Sequence, residues 1–220
     1  MRKILPLFIL SFFLISSCKE KKTETKEIAN GTPNWAKNAS MYEVNIRQYT
    51  PEGTFKAFET HIPRLKELGI DILWLMPIHP IGELNRKGSL GSYYSIKDYK
   101  AVNPEFGSLD DFKSLVKTAH DNGMKLIIDW VGNHSSWDHE WVKTHPEYYK
   151  KDSTGKLLSP YDWTDVVALD YSNKELNQEM IDIMKYWIEE CGIDGYRCDV
   201  AFMVPNHFWL EARKSLDSIK

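Results

Sequence analysis

The stretch IDGYRCDVAF, residues 193–202, decides the fold. It follows Gly192 and reads as a short buried strand, yet it carries Arg197 and Asp199 two residues apart. Charged groups seldom enter a protein interior unless they are paired or working. Side chains alternate along a strand, so Arg197 and Asp199 share one face while Tyr196, Cys198 and Val200 share the other. With the apolar set turned toward covering helices, the charged pair projects from the opposite face at the strand's end. A carboxylate beside a fixed guanidinium stays ionised at neutral pH. Held rigidly in a cleft, such an aspartate can serve as a covalent nucleophile. The same two residues could equally form a structural ion pair.

Working outward, the same alternation recurs. Residues 41–49, MYEVNIRQY, read as a first strand. Phe55, Phe58, Ile62, Leu65 and Leu68 recur at helical spacing up to Gly69, with Pro63 bending that helix or delaying its start. DILWLMPI, 71–78, is a second strand stopped by prolines. Ser108 is a helix N-cap ahead of Leu109, Phe112, Leu115, Val116 and Ala119. MKLIIDWV, 124–131, is a third strand that places Asp129 at its end, with Asn133 and His134 on the loop beyond. Ser172 or Asn173 caps a helix with Leu176, Met180, Ile183, Met184, Trp187 and Ile188 on its apolar face, and Pro205 opens a last helix. Near-continuous apolar strands separated by helices predict an α/β fold with a covered parallel sheet. No glycine-rich phosphate loop opens any helix, which removes support for a dinucleotide fold. The polar residues gather just after the strands, where a (β/α)₈ barrel keeps its site. The connection over about 135–170 is too long for a bare loop and predicts an inserted subdomain after strand three.

Residues 1–18 combine Arg2 and Lys3 with an apolar run and small residues before Cys18, which predicts a secretory signal peptide. The ending LISSC resembles a bacterial lipobox, which implies lipidation at Cys18, export and a membrane anchor. The charged run after it predicts a tether over 19–34 and a barrel over 35–220. Cys191 and Cys198 read as buried free thiols. The net charge of −3, without a basic patch, excludes nucleic acid as a partner. His134, Asp138, His139 and His145 are zinc-ligand types, but their spacing fits no ligand pattern and predicts a surface loop of the subdomain instead.

Several stretches together resemble the α-amylase family of glycoside hydrolases, family 13. DWVGNH (129–134) and GYRCDVA (195–201) are similar to its first and second signatures. YYSIKDYKAVNPEFGSLDDF (93–112), MYEVNIRQYTPEGTF and LWLMPIHP resemble its segments around the first two strands. The resemblance implies retaining cleavage of α-glucosidic bonds in starch-like glucans or maltooligosaccharides. It implies Asp199 as nucleophile, Arg197 as its charge partner, and Asp129 as the group that orients Arg197. It implies His134 as a donor to the sugar and Tyr94 as the platform beneath it. No cofactor is required; a structural calcium held partly by Asn133 is implied, against a plain loop-capping role for the same residue.

The chain departs from the family in two places. The family's acid/base glutamate and a third aspartate lie on later strands, whereas this sequence runs to Lys220, about four βα units of a fold that needs roughly 250 residues. Glu43 and Glu211 are poor substitutes by position. The expectation is the first half of a barrel from a longer enzyme, inactive and aggregation-prone alone. Phe202, Met203 and Val204 also stand where many relatives carry a Lys-His pair, which leaves transfer open beside hydrolysis. Two further readings remain at this point: a glucan-binding protein without catalysis, and a barrel enzyme with a metal at Asp129 and His134.

Overall fold

The structure, a computed structural model, describes residues 31–219. The signal peptide, Cys18 and most of the tether lie outside the described residues. Four parallel strands form one sheet in the order β1 (Met41–Val44), β2 (Ile72–Leu75), β3 (Lys125–Trp130) and β6 (Gly195–Cys198). Register places Glu43, Trp74, Ile127 and Gly195 in one row, and Asp129 beside Arg197 one step further along. Val44, Leu73, Leu75, Leu126, Ile128 and Trp130 are fully buried on the opposite face. Each such side chain contributes about 1.5–3 kcal/mol on leaving water.

That apolar face is covered by helices whose boundaries follow from their caps. In α4 (Leu109–Asp121), Ser108 and Asp111 form a reciprocal capping box, and Phe112, Leu115, Val116 and Ala119 point inward. In α6 (Lys174–Cys191), the Asn173 side chain accepts from the amides of Glu175 and Leu176, and Gly192 ends the helix at φ +75°. Pro63 does not bend one long helix. It opens a separate one, so the segment divides into α2 (Phe55–Glu59) and α3 (Ile62–Glu67). The first strand is shorter than its alternation predicts. After Val44 the chain turns into α1 (Ile46–Tyr49), whose Gln48 and Tyr49 amides bond to Asn45 O, because Ile46 is drawn into the core. The last helix, α7 (Asn206–Leu216), packs on α6.

Between β3 and α6 the chain builds a two-stranded antiparallel sheet from β4 (His134–Ser136) and β5 (Val166–Ala168), with the short helix α5 (Trp141–Thr144) between them. Ser135, Ser136 and His139 are buried, so this is no surface loop. His139 Nδ1 accepts from the Trp141 amide, and His145 pairs with Glu147 instead of joining the other histidines. Among the described residues no group of three His, Cys, Asp or Glu side chains could hold a metal ion. Cys191 and Cys198 are free thiols; Cys191 is buried, but Cys198 is only partly so.

Candidate active site

Two loops bring the polar residues to the end of the sheet. The loop after β3 is fixed from below by buried tyrosines. Tyr99 Oη donates toward the carbonyls of Val131 (2.9 Å) and His134 (2.7 Å), and Tyr171 Oη donates to Gly132 O at 2.5 Å. The loop after β2 is stitched to the insert. Ile81 bridges Ile96, and the Ser136 amide donates to Ile96 O at 2.8 Å. Gly82 lies so close to the insert that an added Cβ would fall 2.3 Å from Ser136 Cβ.

Arg197 links the two aspartates. Its Nη1 lies 3.0 and 3.1 Å from the two oxygens of Asp129 and 2.8 Å from Asp199 Oδ1. Asp129 also accepts from Trp74 Nε1 at 3.3 Å and Tyr94 Oη at 3.2 Å. The Trp74 ring lies against the guanidinium, 4.9 Å from its centre, so one indole contacts both partners of the ion pair. Asp129 is completely buried, and this desolvation pushes its carboxyl up to about 6 even against the opposing pull of Arg197. Burial outweighs the neighbouring cation here, a balance that the sequence does not display.

His134 is buried at the cavity wall, where desolvation lowers it to about 4, and it is neutral at pH 7. Asn133 Nδ2 donates to its Nδ1 at 3.1 Å, which leaves the ring proton on Nε2. Burial, reinforced by Asp129 and Asp199, raises the Tyr94 phenol well above its usual value, so it remains a donor. The backbone amide of Asp199 bonds to Trp130 O at 2.9 Å, extending the ladder one residue beyond β6. Val200 then turns the chain at φ +38°, ψ +43°, a left-handed conformation costly for a β-branched residue.

Tyr94, His134, Asp199 and Val200 border a cavity of roughly 520 Å³, together with Trp163, Asp165 and Lys87 among others. Trp163, Asp165 and Lys87 were missed by sequence reasoning; the first two lie in the aperiodic insert and Lys87 in a polar loop. Neither Glu43 nor Glu211 reaches the cavity. Asp165, its second carboxylate, is ion-paired with Lys87 Nζ at 3.5 Å. Asn133 spends its amide nitrogen on His134, which leaves its side-chain oxygen out of that bond, while Asp170 Oδ1 accepts from the Ser172 amide.

A carboxylate held by a bridging arginine, a neutral histidine and a tyrosine thus meet at the carboxyl ends of parallel strands, the arrangement of an α/β-barrel site. The chain belongs to the α-amylase family: the family's model, described as the α-amylase catalytic domain, matches residues 21–165 and 151–217. Solved structures similar to it include an α-amylase from Lactobacillus plantarum, 50% identical, covering 82% of this chain and 43% of that one, with a TM-score of 0.80. The noncanonic maltogenic α-amylase AmyB from Thermotoga neapolitana is 46% identical, covering 84% of this chain and 44% of that one, with a TM-score of 0.81. An α-1,4-glucan:maltose-1-phosphate maltosyltransferase from Rhodospirillum rubrum is 34% identical over 78% of this chain and 28% of its own. The fold is thus part of an α/β barrel, and the chain spans less than half the length of these relatives. The family likeness supports glycoside hydrolase or transferase chemistry.

Proposed function

We propose that this chain supplies the nucleophile half of a retaining site acting on α-glucosidic bonds of starch-like glucans or maltooligosaccharides. The observation that carries it is the single Arg197 nitrogen shared between buried Asp129 and cavity-facing Asp199. Asp129 anchors the guanidinium, and the guanidinium holds Asp199 toward the cavity. Asp199 attacks the anomeric carbon, its oxygen forms the glycosyl ester, and the glycosidic oxygen leaves. His134, neutral with its proton on Nε2, donates to a sugar hydroxyl, and Tyr94 offers its ring to the apolar face of the pyranose. Water attacking the ester from the vacated side restores the original anomeric configuration. The leaving oxygen needs a proton donor, and we assign that donor outside residues 31–219, since Asp165 is engaged by Lys87. By the same reading, Cys18 carries lipid and anchors the exported protein to a membrane.

Transfer to a sugar acceptor is the second reading. Phe202 stands 82% exposed three residues after Asp199, an apolar ring that an acceptor sugar could use. The full-length protein incubated with maltohexaose should release products first as α-anomers in a time-resolved proton NMR experiment. Asp199→Ala should lower turnover by about three orders of magnitude or more. Activity in that variant equal to wild type would sink the proposal, and binding without products in the wild type would leave a glucan-binding protein.

A further inference from the structure

Of the side chains that touch Arg197 or Asp129, Asp199 and Tyr94 have parts in the chemistry proposed above, and Trp74 has none. Trp74 stands on the inward face of β2, in one row with Glu43 and Ile127 and one row nearer the amino ends of the strands than Asp129 and Arg197. It is not among the residues that line the cavity, so its effect on a bound sugar must pass through its neighbours. An aliphatic side chain such as the adjacent Ile127 fills this layer, so packing alone does not call for an indole. Arg197, for its part, is gripped at one point. Its bonds to Asp129 Oδ1 (3.0 Å), Asp129 Oδ2 (3.1 Å) and Asp199 Oδ1 (2.8 Å) all leave from Nη1. A two-pronged carboxylate contact takes up two guanidinium nitrogens and so fixes the plane of the group. Three bonds from one nitrogen do not. The guanidinium can pivot about Nη1, and a swing toward one aspartate lengthens the bond to the other.

We propose that Trp74 is a positioning residue for the nucleophile: its indole holds the plane of the Arg197 guanidinium so that Nη1 stays aimed at Asp199. This rests on the nucleophile reading above. The ring centre lies 4.9 Å from the guanidinium carbon, close enough for the cation to settle on the face of the indole. The indole N–H is in turn fastened to Asp129 Oδ2 at 3.3 Å, so the ring that meets the cation is itself tied to the buried carboxylate. Tyr94 Oη donates to the same oxygen at 3.2 Å. Two neutral donors thus share that oxygen with Arg197, and the shortest bond of Nη1 is the one to Asp199. Without the ring face, the guanidinium swings toward Asp129, which offers it two oxygens against one. Asp199 then loses its fixed partner and its alignment with the anomeric carbon, and misalignment of a reacting group slows attack more than it weakens binding.

The test is the rate at which a fluorinated α-glucosyl fluoride labels the full-length protein, because that rate reports attack by Asp199 alone. Mass spectrometry at the end point counts the labels and so the folded sites; the rate constant is read separately. Trp74→Met, which keeps bulk but has no ring face, should label about thirtyfold more slowly, the size of a desolvated cation–π contact. The reagent concentration that gives half the maximal rate should not change, and each chain should still end with one label. Trp74→Phe keeps a ring face and gives up the N–H, and it should stay within about fivefold of wild type, the size of one neutral hydrogen bond. Labelling of Trp74→Met at the wild-type rate overturns the proposal. So does a loss confined to the number of labels, the mark of a residue that only supports the fold. If Trp74→Met does not fold, Trp74→Phe decides alone: a rate within about fivefold of wild type supports the ring face, and a larger loss overturns it. Wild-type protein that takes no label on Asp199 overturns the nucleophile reading itself, and the role of Trp74 with it.

Discussion

Replacing Arg197 by leucine should destabilise the fold in a strongly pH-dependent way. The variant leaves Asp129 fully buried with two neutral donors, Trp74 and Tyr94, and no countercharge. Removing one partner of a buried ion pair costs about 3–5 kcal/mol. The lower end applies here, because the Arg197 side chain is 36% exposed and solvent screens it, so the expected loss near pH 8 is about 3 kcal/mol. The sign follows from Asp129, whose carboxyl is raised from 3.8 to about 6 in the fold. Stability linked to its proton is fully present below about pH 4 and is lost as pH rises through about 6. Without the opposing pull of Arg197 that window extends upward. At pH 5 Asp129 carries its proton in both folded proteins, and the cost of the substitution should shrink to about 1 kcal/mol, the loss of the Trp74 contact and the bond to Asp199. Urea unfolding at pH 5 and pH 8, read from midpoint and slope, measures both values. The double variant Arg197→Leu/Asp129→Asn should recover most of the loss at pH 8. Equal destabilisation at the two pH values, or no recovery in the double variant, would refute the reasoning.

His134 should remain neutral down to about pH 4, because burial outweighs the attraction of Asp199 and Asp165; its imidazole carbon-bound proton shifts should titrate with a midpoint near 4, and a midpoint near 6.5 would show the ring to be solvated. Ser108→Ala should cost about 1 kcal/mol in the same urea assay, since it removes one half of the capping box with Asp111, and a change within error would show that the helix start is held by tertiary packing alone.

The strands and the long helices were legible because buried parallel strands leave uninterrupted apolar runs such as residues 71–78, and because Ser108, Asn173 and Gly192 mark helix ends through local hydrogen bonding or backbone freedom. Arg197 and Asp129 could be placed on the inward face from alternation alone, and the register confirms them side by side. What alternation cannot express is how deeply a group is buried, so the raised Asp129 carboxyl was not foreseen. Trp74 read only as one more apolar residue of its strand, although its indole touches both partners of the ion pair. The shortened first strand reflects a tertiary demand on Ile46 that local alternation does not record. Lys87, Trp163 and Asp165 meet across 76 and 78 residues of chain, in segments without periodicity, and only the folded insert brings them together.

The central claim is that Asp199 is the nucleophile, and covalent trapping tests it most directly. A fluorinated α-glucosyl fluoride slows hydrolysis of the glycosyl ester, and fluoride departs without a proton donor, so the attack is isolated from whatever group completes the site. Mass spectrometry of the labelled and digested protein should place one glycosyl unit on the peptide containing Asp199, and Asp199→Ala should take up none. A label on another carboxylate, or one that persists in Asp199→Ala, would contradict the account.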